Sequence, residues 1–445
     1  MQSTVEPQEF QLIRSCAEIL FTNGQSTKKL VHDLKLVARK LGYESEIIPL
    51  WGGISIELDG SHSSKTSRTL ILNIQPTGVQ MNKVKLATLV INQFIAGTLT
   101  LDQTIKAIQE VDRSAPCSLI RFIAMSAIGA ASLGVIFGVA DLGLLLLVML
   151  SAGIGALLRR LTAKVSNNLY SQVLVASVFT GAFGSLVQVY QLSPDSVFLF
   201  LCPCMILVPG PHLLNGIFDI ARGDVGIGQS RLTYAMTIIL VICIGLVSSM
   251  DFHNQSLTQY ASTNNLPFAY YLLAVCGAVA AYGSFFSMTW RDIVIPVFIG
   301  AVAFLPRYYL VFIDGYSVVM GVFIASVVAG FMAALLASKT QLPFAALAFS
   351  SVVAMIPGSY LFRMADYLFN SYQMGVNASS QESLLALNQG ITAIVIVIAI
   401  SIGVIFPKLC VDHFLDKKAY FLALITPRKP LVFNRVESQA CPINL

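Results

Sequence analysis

The chain has 445 residues, 56% of them hydrophobic and only 11% charged, where an average soluble protein carries about 25% charged residues. That balance excludes a soluble globular protein over most of the length and makes the lipid bilayer its surroundings. The net charge of +5 is no argument for a nucleic-acid partner, because the surplus belongs to membrane orientation.

Charge is spread unevenly. Residues 1–118 hold 12 Lys/Arg and 11 Asp/Glu, whereas 119–445 hold 16 and 12 over nearly three times the length. A domain boundary is therefore expected at about 118. The first residues include Glu6, Glu9, Arg14 and Glu18 and show no signal-peptide pattern. Within this head, residues 8–22 read as a helix. Leu30, Leu34, Val37 and Leu41 mark one face of a second, with Ser26 or Thr27 as N-cap and Gly42 as its stop. Gly52–Leu58 alternates with the period of a strand, Thr69–Ile74 reads as its partner, and two more helices are expected at 82–97 and 101–112. The head is thus a small α+β domain. Gly24–Lys29 ("GQSTKK") lacks the phosphate-loop pattern, which argues against an NTP-driven pump. His32, Asp33 and His62 read as solvated surface residues. A hydrolase head on a membrane anchor is the alternative from another class, but no nucleophile–base constellation supports it.

Ten apolar segments follow, at 119–140, 142–158, 171–192, 196–210, 232–250, 268–288, 293–305, 316–338, 342–357 and 389–407. Spans two, four, seven and nine are shorter than the roughly 20 residues a lone helix needs. With the head inside, the inner side collects fourteen basic residues of the membrane region and tail, against only Arg307 and Arg363 outside. Both termini are therefore expected in the cytoplasm. Asn254 and Asn377, each in an Asn-x-Ser sequon, serve as markers of the opposite side. Cys202 and Cys204 flank Pro203 inside an apolar run and read as buried small hydrophobes. No metal site, cofactor or catalytic residue is expected.

"LVPGPHLLNG", from Leu207, and "MIPGSYLFRM", from Met355, place the same Pro-Gly interruption twice in apolar sequence, with Pro209 and Pro357 148 positions apart. Arg159 and Arg307 share that offset, and "ASVFTG" at Ala176 answers "ASVVAG" at Ala325. The membrane region reads as a five-plus-five repeat. Because five is odd, the second half enters from the opposite face, giving the inverted topology typical of secondary transporters. The expected architecture is a polytopic α-helical membrane protein of about ten transmembrane helices. Its parts are a cytoplasmic α+β domain (1–118), two five-helix repeats (119–250 and 268–407) and a cytoplasmic tail (408–445).

At each break one half-helix ends and another begins. A helix N-terminus suits a carboxylate, and the carbonyls of the preceding half suit an ammonium. Pro209, Gly210, Asn215, Pro357, Gly358 and Ser359 are the candidate substrate-binding residues. Asp219 and Asp366, on the second half-helices, are the candidate proton-coupling residues. An aspartate that holds a proton when the site is empty and releases it on meeting an ammonium would link the two movements. The structural alternatives are a Pro-Gly turn at the membrane surface, and helical pairing of Asp219 with Arg222 and of Asp366 with Arg363. Asp141 and Asp292, between spans, read as interfacial.

The series Pro209, Gly210, Leu213, Asn215, Asp219, Gly223, Asp224, Gly228, Arg231 and Leu232 resembles the pattern of the threonine/serine exporter family, in its form with both halves fused. "WGGISIEL" and "MNKVK" in the head and "VVAMIPGSYLFRM" in the second half carry the same resemblance. His212 departs from it, standing where the family commonly has proline. The resemblance implies proton-driven export of threonine and serine across the cell (inner or plasma) membrane. Split forms of the family are linked to export of a dicarboxylate, succinate, which makes that the alternative substrate class. The sequence is also compatible with a homo-oligomer.

Overall fold

The structure, a computed structural model, describes residues 7–60, 67–191, 197–251, 266–340, 342–375 and 379–425. The chain begins with two helices, α1 (Gln8–Thr22) and α2 (Thr27–Lys40), then three strands, β1 (Tyr43–Leu50), β2 (Gly53–Gly60) and β3 (Arg68–Leu72), and two more helices, α3 (Met81–Ile95) and α4 (Leu101–Arg113). The strands form an antiparallel sheet in the order β1-β2-β3, with Ile47 opposite Ile56 and Ile56 opposite Leu70. Ile54, Ile56 and Leu58 turn inward from β2 onto a core that includes Phe10, Ile13, Leu20, Leu30, Leu34 and Val37. That inward alternation made β2 legible in the sequence. β1 escaped notice for the converse reason: Ser45 and Pro49 occupy inward positions, while Ile48 and Leu50 are exposed. Its proline is tolerated because the strand is an edge.

Asp33 is not the solvated residue its sequence context suggested. It is 1% exposed, and the Lys29 ammonium reaches it at 2.6 Å. The reason is register: Asp33 shares the buried face of α2 with Leu30, Leu34 and Val37. His32, one position earlier, is exposed. His62, Asn254 and Asn377 lie outside the described residues.

The membrane part runs through α5 (Leu119–Ile136), α6 (Leu142–Val165), α7 (Leu169–Val189), α8 (Val197–Met205), α9 (Gly210–Ala221) and α10 (Val225–Asp251). It continues with α11 (Phe268–Phe285), α12 (Trp290–Tyr308), α13 (Val318–Thr340), α14 (Phe344–Val352), α15 (Gly358–Met374) and α16 (Ser380–Ile425). Among the described residues, 8 helices are long and apolar enough to cross a membrane, or up to 10 if each of two bent pairs counts as one span. The pairs are α8–α9, bent by 55°, and the α14 segment with α15, bent by 56°. Outward stripes such as Leu142, Leu146 and Leu150 on α6, and Ile391, Ile394, Ile398 and Ile402 on α16, are apolar and exposed. Such faces need lipid rather than water.

Two expectations about length are corrected. Spans two and seven are not short: each is 24 residues, Leu142–Val165 and Trp290–Ile313. The apolar runs stopped at Arg159 and Arg307, but the helices carry these arginines along. Arg159 lies 4.6 Å from the centroid of the Phe285 ring, and Arg307 5.6 Å from that of Phe304. A cation over an aromatic face is better accommodated near a membrane than a bare one. The last helix does not end at 407 either. It continues through Pro407, which costs one bond of the ladder but does not stop it.

Neighbour relations run in parallel through the two halves. In the first, α6 packs on α5 and α7, α10 on α7 and α9, and α8 sits among α5, α6 and α7. In the second, α12 packs on α11 and α13, α16 on α13 and α15, and α14 sits among α11, α12 and α13. Helices α5 and α11 join the halves along their length.

The head is seated directly on this bundle. Ile227 of α10 belongs to the head's own hydrophobic core. Lys85 of α3 pairs with Asp292 in the first turn of α12 at 2.8 Å, the Met81 amide donates to the Phe286 carbonyl at 3.0 Å, and Trp51 packs on Tyr234 with ring centroids 5.0 Å apart. Asp141 caps α6 by accepting from the Gly143 and Leu144 amides. Cys202 and Cys204 are both wholly buried in α8.

Candidate functional site

The two breaks have the same local structure. Pro209 (φ −82, ψ 62) and Pro357 (φ −80, ψ 38) stand at the N-caps of α9 and α15. The following glycine amide donates two residues back in both, Gly210 to the Val208 carbonyl and Gly358 to that of Ile356, each at 2.9 Å. This is an inverse γ-turn, for which proline's fixed φ is already set. The breaks also pack reciprocally. A methyl group at Gly210 would overlap the ring of Phe349, which precedes the second break. One at Gly358 would sit 3.1 Å from Met205 Cγ, just ahead of the first. Tyr282 donates its hydroxyl to the Met205 carbonyl at 2.7 Å, satisfying an acceptor freed where α8 ends. The space enclosed between the breaks is about 20 Å³ and touches Gly210, Leu213, Phe349 and Pro357. That is room for about one water. Ser359, in the first turn of α15, is buried at 6% exposure.

The roomy cavity lies further along α9, between the bundle and the head. It measures about 680 Å³ and is lined by Asn215, Phe218 and Arg222 of α9, by Gln25, Ser26, Lys28, Lys29 and His32 around the start of α2, and by residues of α3, α13, α14 and α16. Asn215 is 2% exposed; its Nδ2 donates to the Gly24 carbonyl at 3.4 Å, and its Oδ1, itself buried, has no partner among the described residues. The head therefore touches the very residues that the sequence marked on α9.

Asp219 meets Arg231 rather than Arg222. Asp219 Oδ2 lies 3.2 Å from Arg231 Nε, and both side chains are 1% exposed. Thr27 of the head, itself 2% exposed, lies beside the same carboxylate. The cause is the way α9 ends. Gly223 adopts φ +92, the Gly223 amide donates to Ile220 and the Asp224 amide to Asp219. This Schellman closure favours glycine and reverses the chain. Helix α10 then returns beside α9, with the Gly228 Cα so near that an added methyl would lie 2.6 Å from the Gly216 carbonyl oxygen. Arg231 is carried to Asp219, while Arg222 turns over the Phe218 ring at 5.5 Å. His212, 3% exposed, packs edge-on against Tyr234 at 5.1 Å and faces the Thr77 backbone of the head. Asp366 is 2% exposed on α15.

The structure thus brings Pro209, Gly210, Pro357 and Gly358 together at one crossing, with Asn215 and Asp219 further along α9. Sequence reasoning missed Arg231 as Asp219's partner and the head residues Gly24 and Thr27. The Gly223-Asp224 turn was the available signal for the first; the head contacts had none.

A threonine/serine exporter family model (ThrE) matches residues 11–253, and a second model, described as "Threonine/Serine exporter, ThrE", matches residues 271–410. No significant match was found among curated proteins or among solved structures.

Proposed function

The chain belongs to the threonine/serine exporter family with both of its modules in one polypeptide, and from that premise we propose that it is a secondary, proton-coupled exporter of small amino acids. The observation that carries this reading is the pair of matching breaks: the same turn, bends of 55° and 56°, and reciprocal packing of Gly210 on Phe349 and Gly358 on Met205. Two halves related as a five-plus-five inverted repeat can exchange conformations and expose the centre to each side in turn. The parallel neighbour relations of the halves support that organisation. The head faces the cytoplasm in this scheme, together with both termini, and the membrane is the cell membrane. Substrate reaches Asn215 from the head side. The crossing of Pro209–Gly210 and Pro357–Gly358, with Ser359 beside it, is the constriction that must open. Asp219 and Asp366 carry the coupling proton.

Dicarboxylate export is the second reading, favoured by the four cationic side chains lining the cavity, Lys28, Lys29, Arg222 and Lys408. Against it, two of those four cations are already taken up, Lys29 by Asp33 and Lys408 by Asp412, each at 2.6 Å. The test is accumulation of labelled threonine in proteoliposomes under an imposed pH gradient. Asp366→Asn should abolish accumulation while leaving threonine exchange intact. Undiminished gradient-driven accumulation in both Asp219→Asn and Asp366→Asn would remove these aspartates from the coupling.

A further inference from the structure

The sheet of the head has a second face, turned away from its core. Its residues alternate with the buried ones: Glu44, Glu46, Ile48 and Leu50 on β1, Ser55, Glu57 and Asp59 on β2, Thr69 and Ile71 on β3. Register sorts them into rows. Glu44 stands opposite Asp59, Glu46 opposite Glu57, and Glu57 opposite Thr69. Ile48 stands opposite Ser55 and Ser55 opposite Ile71, and Leu50 closes the hairpin opposite Gly53. Carboxylates therefore hold one half of the face and aliphatic side chains the other. Ile48, Leu50 and Ile71 are each more than half exposed.

The aliphatic half is the one next to the bundle. Leu50 is followed by Trp51, whose ring centroid lies 5.0 Å from that of Tyr234 on α10, and Tyr234 lies 5.8 Å from Tyr170 in the first turn of α7. β3 runs the same way, and five residues beyond its end Thr77 faces His212 of α9. Tyr170 heads an outward stripe of α7 that continues at helical spacing through Leu174 and Val178, both exposed. Tryptophan and tyrosine collect where hydrocarbon meets lipid headgroups. The cluster of Trp51, Tyr234 and Tyr170 thus marks the edge of the bilayer at the start of α7. Ile48 lies about 10 Å along the strand from Trp51, and the acidic rows begin further out.

We propose that the aliphatic half of this face docks on the lipid leaflet on the head's side, with Leu50, Ile48 and Ile71 among the headgroups. The face then continues the lipid-facing surface of α7. The acidic rows set its depth, because carboxylates do not enter an apolar layer without a partner. A second copy of the chain fits less well. A stable protein interface takes roughly 20–30 residues a side, and the aliphatic rows offer three large side chains.

The experiment makes Ile48→Cys, Leu50→Cys, Glu57→Cys and Ile71→Cys singly in a cysteine-free, full-length protein. Each is labelled with an environment-sensitive fluorophore in lipid nanodiscs, where both leaflets meet the same solution. All four positions are exposed, so folding does not hide the labels. Lipid carrying a doxyl quencher high on its acyl chain should remove most of the fluorescence at 48, 50 and 71, and aqueous iodide most of that at 57. Trp290→Phe gives a reading that keeps every native cysteine. Trp51 is then the one tryptophan of the chain, and lipid brominated near the headgroup should quench it more than lipid brominated deep in the chain. Iodide quenching at 48, 50 and 71 equal to that at 57 would overturn the proposal. So would shielding of those three positions from both quenchers, which would place protein over the face, a second copy or another part of the chain. Trp51 quenched by neither brominated lipid would move the hairpin tip off the bilayer and overturn it as well.

Discussion

The Asp219–Arg231 pair is wholly buried and incompletely satisfied, since Arg231 Nη2 has no hydrogen-bond partner among the described residues. Removing one member leaves an uncompensated buried charge, at a cost of about 3–5 kcal/mol. Arg231→Ala is expected to lower the melting temperature of the purified protein steeply, and Asp219→Asn to lower it as well. Replacing both, as Asp219→Leu/Arg231→Met, should recover folding, because a buried pair is often dispensable for stability, yet leave gradient-driven transport abolished. A double variant that still accumulates threonine under a pH gradient would make the pair structural only. In the head, burial pushes the Asp33 carboxyl above its ordinary value, an effect the Lys29 ammonium offsets only in part. A carboxyl raised on folding adds stability below its unfolded value and loses it as pH rises through the folded one. At neutral pH Asp33 therefore costs stability relative to a neutral side chain. Asp33→Asn should raise the head's melting temperature there, with the gain shrinking as pH falls towards about 4. A fall at neutral pH would mean that pairing with Lys29 outweighs burial.

Close contacts between elements make two further outcomes testable. A methyl group at Gly228 meets the backbone of α9, which cannot move aside as a side chain can. Gly228→Ala should separate α9 from α10 and cost about 1–3 kcal/mol, read as a lower melting temperature with little relief from other substitutions. Gly210→Ala differs, because its obstacle is the Phe349 ring. Gly210→Ala should impair folding and transport, and adding Phe349→Leu should restore the first. Failure of that rescue would mean the break does not depend on this contact. The sequence was informative at this scale where one face decides the pattern, as on α2 and β2. It misled where arginine or proline rides inside a helix: Arg159, Arg307 and Pro407 marked the ends of the apolar runs but not of the helices. The breaks were legible because proline and glycine act locally. The Asp219–Arg231 contact was missed because Gly223 signals a chain reversal there but not which residue of the returning helix meets Asp219.

For the molecule as a whole, the proposed five-plus-five scheme fixes sidedness. Single cysteines placed at Asn254 and Asn377 on a cysteine-free background should react with an impermeant maleimide added to intact cells, and one at Lys28 should not. Equal labelling of positions 28 and 254 would contradict the scheme. The docking of the head over α9, through Gly24, Thr27 and Thr77, could not be anticipated from sequence, since none of these residues announces a long-range partner. The central claim, facilitated movement of small amino acids through this chain, is tested most directly by counterflow in proteoliposomes of the purified protein. Vesicles preloaded with unlabelled threonine should take up external labelled threonine transiently above equilibrium, serine should substitute for it, and preloaded succinate should not. Uptake no greater than in protein-free vesicles, or an overshoot supported by succinate alone, would contradict the account.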